Sequence, residues 1–137
     1  MTYPDRCIRG ISQKNFITEG VATSSAFTFY DIDIRQDGYL EQSINWEDDE
    51  TVIEFTLKQE KNGSIQFKGG VAIIACDQLD DLINRPPIRG RLAYERAPID
   101  DNKYHGNLLL KADTPKPIRR MITGGIALTV EEQILRA

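Results

Sequence analysis

Thr51-Val52-Ile53-Glu54-Phe55-Thr56-Leu57-Lys58 is the stretch on which the fold turns. Read with a period of two, it sets Ile53, Phe55 and Leu57 on one side and Glu54, Thr56 and Lys58 on the other, the pattern of a half-buried strand. Just before it, Leu40, Ile44 and Trp46 alternate with Tyr39, Glu41, Ser43 and Asn45. Glu47-Asp48-Asp49-Glu50 between the two segments suits a solvated turn. Pairing Trp46 with Ile53 and Ile44 with Phe55 gathers the apolar side chains of both segments on one face, which makes a β-hairpin the expected unit.

The next turn lies at Lys61-Asn62-Gly63. A two-residue Asn62-Gly63 turn pairs Glu60 with Ile65 and sends Ile65 and Phe67 to the face opposite Leu57. A three-residue loop with Gly63 in the left-handed conformation pairs Gln59 with Ile65 and Leu57 with Phe67, and keeps the apolar side chains together. The second register is the expected one.

Outward from this centre, Cys7–Ile11 reads as a short first strand. Asn15–Arg35 is rich in β-branched and aromatic residues, with a phase slip between Phe27/Phe29 and Tyr30/Ile32/Ile34 that suggests a bulge. Asp37-Gly38 marks a turn. Downstream, Ile88–Glu95, Tyr104–Lys111 and Ile118–Leu128 are further strands, the last bent at Gly124-Gly125. Two short helices interrupt the pattern. One follows Asp77, a candidate N-cap, and is stopped by Pro86-Pro87. The other follows Thr129-Val130-Glu131-Glu132, which has capping-box spacing. The expectation is a mainly β domain over residues 1–137, an antiparallel sandwich or barrel of roughly eight strands with two short helices.

Composition agrees with one modest core: 137 residues, 40% of them hydrophobic. No apolar run approaches the roughly 20 residues that span a bilayer, and Met1–Arg6 lacks a signal-peptide pattern, so a soluble, cytoplasmic protein is expected. Cys7 and Cys76 lack metal-ligand spacing, and a zinc site needs several thiolate or imidazole ligands. Neither a metal nor a cofactor is expected, and both thiols read as small buried hydrophobes.

The net charge of −4 is unevenly spread. Residues 1–82 hold 7 basic and 15 acidic side chains, residues 83–137 hold 10 basic and 6 acidic. An acidic half and a basic half can complement each other across a two-fold interface. The sequence pI of about 5.0 argues against nucleic acid as the principal partner.

Chemistry-bearing patterns are sparse. Asp31 and Asp33 share a strand face, Glu47–Glu50 suits a turn, and Asp77, Asp80 and Asp81 suit a helix start; none has calcium-loop spacing. A Gly-x-Ser-x-Gly elbow and a phosphate-binding glycine loop are both missing. His105 is a general-base candidate without an oriented partner in the sequence. The sharpest constellation is a basic hairpin face. If Leu92 opposes Leu108, then Glu95 opposes His105, and Arg89, Arg91, Lys103, His105 and Lys111 gather behind an apolar face. Such a row of like charges calls for an acidic partner or an anionic ligand. The sequence therefore points to a non-catalytic binding module, acting in protein–protein contact or homo-oligomer formation. A small hydrolase using a carboxylate pair or His105 is one alternative; anionic-ligand or nucleic-acid binding by the basic face is the other.

Overall fold

Val71-Ala72-Ile73-Ile74-Ala75 is apolar without a break, and a strand built from it must be covered on both faces. The computed structural model describes residues 3–32 and 34–136 and meets that demand. Its strands are β1 (Arg6–Ile11), β2 (Ile17–Thr18), β3 (Val21–Ala22), β4 (Tyr39–Trp46), β5 (Glu60–Lys61), β6 (Ser64–Ile65), β7 (Gly70–Ala75), β8 (Leu92–Arg96), β9 (His105–Lys111) and β10 (Val130–Leu135). The helices are α1 (Val52–Leu57), α2 (Cys76–Ile83) and α3 (Lys116–Leu128). The chain is mainly β, with one antiparallel six-stranded sheet in the order β10-β7-β1-β4-β9-β8 and two small hairpins, β2-β3 and β5-β6. All six residues of β7 are buried.

Helices supply the outer layers where a second large sheet, or closure of the first, was expected. One sheet face carries the larger core: Cys7, Leu40, Trp46, Ala72, Ile74, Leu108 and Leu110 pack with Phe27, Leu79, Leu82, Ile122 and Ile126. The other face packs Ile8, Val71 and Ile73 against Val52 of α1. Cys7 and Cys76 are free and buried.

The stretch 51–58 is therefore a helix and not a strand. It satisfies both periods, and tertiary packing chooses between them. Val52 and Thr56, one turn apart, are buried against the sheet, while Ile53 and Leu57 are half-buried beside them. Asp49 opens the turn by accepting the Thr51 hydroxyl and, at 2.8 Å, the Thr51 N–H. These bonds hold the Asp49 carboxyl below the usual carboxylate range. With α1 in place, β4 pairs with β9 and β1 and makes no hairpin with residues 51–58.

Two more assignments invert at the C-terminus. Residues 116–128 form α3, not a strand: prolines sit at its start, and Ile122 and Ile126 recur at one turn on the buried face. Gly125 lets α3 pack closely on α2, since a Cβ there would lie 2.5 Å from Leu82 Cδ1. Residues 130–135 form β10, not a helix. Thr129 ends α3 by donating its hydroxyl to the Ile126 carbonyl at 2.6 Å, and β10 then pairs with β7, with a register shift between Val130 and Glu132. At α2 the cap is Ala75, and Asp77 sits in the first turn.

The Asn62-Gly63 turn is the two-residue one, with Glu60 opposite Ile65 and both turn residues at positive φ (55° and 80°). Leu57 is already committed to α1, so no apolar face is left for the longer loop to preserve. Residues 15–35 form little regular sheet. Two 3-10 turns, Lys14–Phe16 and Ser24–Phe27, cap the larger core, with Ala26, Phe27 and Phe29 buried. Arg9 anchors the second of them. Its guanidinium donates to the carbonyls of Ala26 (3.1 Å) and Ser43 (2.7 Å), beyond the two-residue pairing of β1 with β4 at Cys7 and Ile8. Burial brings this guanidinium down to about 10.

Candidate functional site

The strand ends organise the surface charge. Just past the end of β1 (Ser12–Asn15) and of β10 (Arg136), the β5-β6 hairpin walls a groove of about 970 Å³. Lys14, Lys61, Lys68 and Arg136 line it together with Gln13, Asn15, Asn62 and Gln66, and no carboxylate side chain among the described residues does. Arg136 is fixed there by hydrogen bonds to the carbonyls of Phe67 (2.9 Å) and Leu57. At the opposite end of the same strands, where β1 begins and β7 ends, lies a cleft of about 740 Å³. Among the described residues its charged lining is Asp5, Glu47, Asp77, Asp80 and Glu131, with Arg6 the one cation. Arg6 pairs with Glu47 at 2.7 Å and Glu132 at 3.0 Å, and these contacts raise its guanidinium above the ordinary value against the effect of burial.

An aromatic floor supports the acidic end. Tyr3, Trp46 and Tyr94 have ring centroids 4.7 to 5.2 Å apart, and the Arg96 guanidinium lies over Tyr3 and Trp46 while pairing with Asp48 at 2.6 Å. Tyr94 donates its hydroxyl to Asp80 at 2.8 Å. Burial, with that bond, pushes the phenol above its ordinary value.

The five residues of the expected basic face are only partly brought together. The register of β8 with β9 is two residues away from the expected one: Leu92 opposes Leu110, and Glu95 opposes Asn107. A two-residue slip keeps every strand side chain on its face, so His105 and Lys111 share one, while Arg91 lies just ahead of β8. Arg91 comes next to Lys111, through a bond from the Lys111 N–H to its carbonyl, and its side chain pairs with Asp113 at 3.0 Å. Arg89 and Lys103 fall outside the strands, and Lys103 lies over the Tyr104 ring. His105 is six residues along β9 from Lys111, about 20 Å at strand spacing. Between them Glu95 accepts from Asn107 (2.9 Å) and Arg35 (2.7 Å). Burial would raise the Glu95 carboxyl, but these two bonds outweigh it and hold it below the usual range.

No family model, curated protein or solved structure matches this chain.

A third depression, about 270 Å³, opens on the α1 side of the sheet. Its floor is a buried amide network. Asn45 Nδ2 donates to Thr56 Oγ1 and Gln59 Oε1, each at 2.8 Å, and Asn45 Oδ1 accepts from Asn102 Nδ2 at 2.8 Å. His105 and Ser43 stand on its rim within hydrogen-bond distance of each other.

Of the carboxylate clusters read from sequence, Asp31 pairs with Arg119 at 3.0 Å, and Asp33 lies outside the described residues. Among the described residues no three His, Cys, Asp or Glu side chains are grouped to hold a metal ion, and no helix is long and apolar enough to cross a membrane. The charge split between sequence halves does not carry over into space. Three of the four groove cations, Lys14, Lys61 and Lys68, come from the acidic half. Sequence reasoning missed the groove because its parts are adjacent only after β1, β7 and β10 pair.

Proposed function

We propose that the protein is a binding module that self-associates head to tail, the basic groove of one copy receiving the acidic cleft of the next. The observation that carries this reading is the separation of charge among the described residues along the sheet: Lys61, Lys68 and Arg136 line one end, and Asp5, Glu47, Asp77, Asp80 and Glu131 line the other. Opposed patches of this kind steer encounter and fix orientation. Because they sit at opposite ends, one contact uses one patch from each copy, which favours a heterologous interface over a two-fold one. Side-chain amides in the groove add hydrogen bonds that a carboxylate partner can accept. The reading places the protein in the cytoplasm, where two buried thiols stay reduced.

Sedimentation velocity across a salt series tests it. Association that rises with concentration, weakens between low and high salt, and is lost in Lys61→Glu with Lys68→Glu supports the proposal. A monomer at every concentration and low salt overturns it. So does wild-type association that these substitutions leave intact. Capture of a polyanion such as nucleic acid by the groove, without self-association, would reassign the occupant.

A further inference from the structure

We propose that Ser43 and His105 form a nucleophile–base pair that hydrolyses small, uncharged acyl esters in the pocket on the α1 face. The inference is independent of the charged strand ends.

The geometry starts from the register of β4 with β9. Asn45 is opposite His105, so Ser43, two residues along, is its diagonal neighbour on the same sheet face, within reach of a long side chain. His105 Nδ1 lies 2.8 Å from the carbonyl oxygen of Ala97. A carbonyl only accepts, so Nδ1 carries the proton, and in the neutral ring Nε2 is left as the acceptor. Nε2 lies 3.3 Å from Ser43 Oγ, at the long end of the reach found for bases and nucleophiles before substrate binds. The backbone carbonyl thus fixes tautomer and ring orientation, the role that a carboxylate plays in a serine–histidine–aspartate triad. Ser43 is exposed and His105 half-buried, so the pair is open to a ligand. Arg9 steadies the nucleophile's backbone by donating to the Ser43 carbonyl at 2.7 Å.

The lining selects the substrate class. Glu60 and Asp101 line the pocket and, among the described residues, no lysine or arginine does, which disfavours carboxylates and phosphates. Phe67 and Ile99 give it an apolar wall, and about 270 Å³ is below the usual size of a site for a drug-sized ligand. A short acyl ester fits both limits. The carboxamides of Gln59 and Gln66 on the lining are the side-chain donors nearest in kind to those that stabilise an acyl-transfer oxyanion.

The reaction balances with water as the only co-substrate. Ser43 Oγ bonds to the acyl carbon as its proton passes to His105 Nε2, and the carbonyl π pair moves onto oxygen. Collapse restores the carbonyl, breaks the ester C–O bond and releases the alcohol with the proton from Nε2. Water then attacks the acyl-Ser43, giving a proton to Nε2 that returns to Ser43 Oγ as the carboxylic acid leaves.

The test uses the intact chain with p-nitrophenyl acetate, monitoring p-nitrophenolate release and mapping acetylated residues by mass spectrometry after acid quench. Loss of the base or nucleophile removes about 100-fold or more of such catalysis, so Ser43→Ala and His105→Gln should each abolish the enzyme-dependent rate. Ser43→Cys should keep the acyl transfer, and wild type should carry acetyl on Ser43. Retention of the rate in Ser43→Ala, or acetylation confined to lysines, overturns the proposal. Trp46, fully buried and the single tryptophan, reports by fluorescence that each variant is folded.

Discussion

Thr56→Val swaps a hydroxyl for a methyl of nearly the same volume at a position 1% exposed. The Thr56 hydroxyl accepts from Asn45 Nδ2 and donates to the Val52 carbonyl, both at 2.8 Å. The substitution deletes two buried hydrogen bonds and strips Asn45 Nδ2 of one of its two acceptors. A net bond contributes about 1 kcal/mol, and a buried donor left unsatisfied costs about 1–3 kcal/mol. The added methyl offsets part of this by the burial of one more carbon, roughly 0.8 kcal/mol. The balance is a loss of about 2 kcal/mol, or about 7 °C in Tm for a chain of this size. Guanidinium unfolding followed by Trp46 fluorescence gives the number directly. Asn45→Ala, which removes three bonds and leaves a small void, should lose about 3 kcal/mol, and the double variant should show coupling of about 1 kcal/mol. A Thr56→Val effect within about 0.5 kcal/mol, the range of ordinary surface changes, would refute the packing of α1 across β4. Strict additivity of the two substitutions would do the same.

Gly124→Ala, in open space within α3, should stabilise the protein by about 1 kcal/mol, whereas Gly125→Ala meets the buried Leu82 side chain and should not; equal effects, compared by thermal unfolding, would deny the helix its place against α2. Gly63→Ala, at a φ of +80°, should destabilise by about 1 kcal/mol, read by urea unfolding, and a neutral result would contradict the Asn62-Gly63 turn. The Glu95 carboxyl is held below its ordinary value of 4.5 in the fold, so its contribution is present above that value and is lost as pH falls through the lower, folded one. Glu95→Gln should therefore flatten the acid limb of stability against pH, and an unchanged limb would count against the Arg35–Glu95–Asn107 cluster.

Particular residues show what the sequence carried and where it ran short. The strands at Cys7, at Tyr39–Trp46 and at Tyr104–Lys111 were legible as short apolar segments, and Tyr39–Trp46 also keeps its alternation, with Leu40, Gln42 and Ile44 buried and Glu41 and Ser43 exposed between them. The stretch 51–58 was not, because Val52, Ile53, Thr56 and Leu57 satisfy a helical stripe as well as Ile53, Phe55 and Leu57 satisfy a strand. Only the need to cover Ile8 and Ile73 decides between them. Thr129 misled in a related way: its spacing to Glu132 is that of a capping box, but its hydroxyl turns back to Ile126 and ends the preceding helix. At the candidate sites, His105 was visible as a residue and invisible as a pair, since Ser43 is 62 positions away and reaches it only through the β4–β9 register. The charged ends were hidden for the same reason, each being assembled from segments distant in the chain.

The head-to-tail contact is tested most directly by cancelling the charge of one end at a time. Lys61→Glu with Lys68→Glu cancels the net charge of the groove lining, and Asp5→Lys with Asp77→Lys cancels that of the cleft lining; all four positions are exposed. Each variant alone should sediment as a monomer, because its altered end no longer attracts the unaltered end of its own copies. Mixed in equal amounts, they should pair, since the unaltered groove of the cleft variant still meets the unaltered cleft of the groove variant, and the pairs should dissociate as salt is added. Assembly of either variant alone, or a mixture that stays monomeric at concentrations where the wild type associates, would contradict the account.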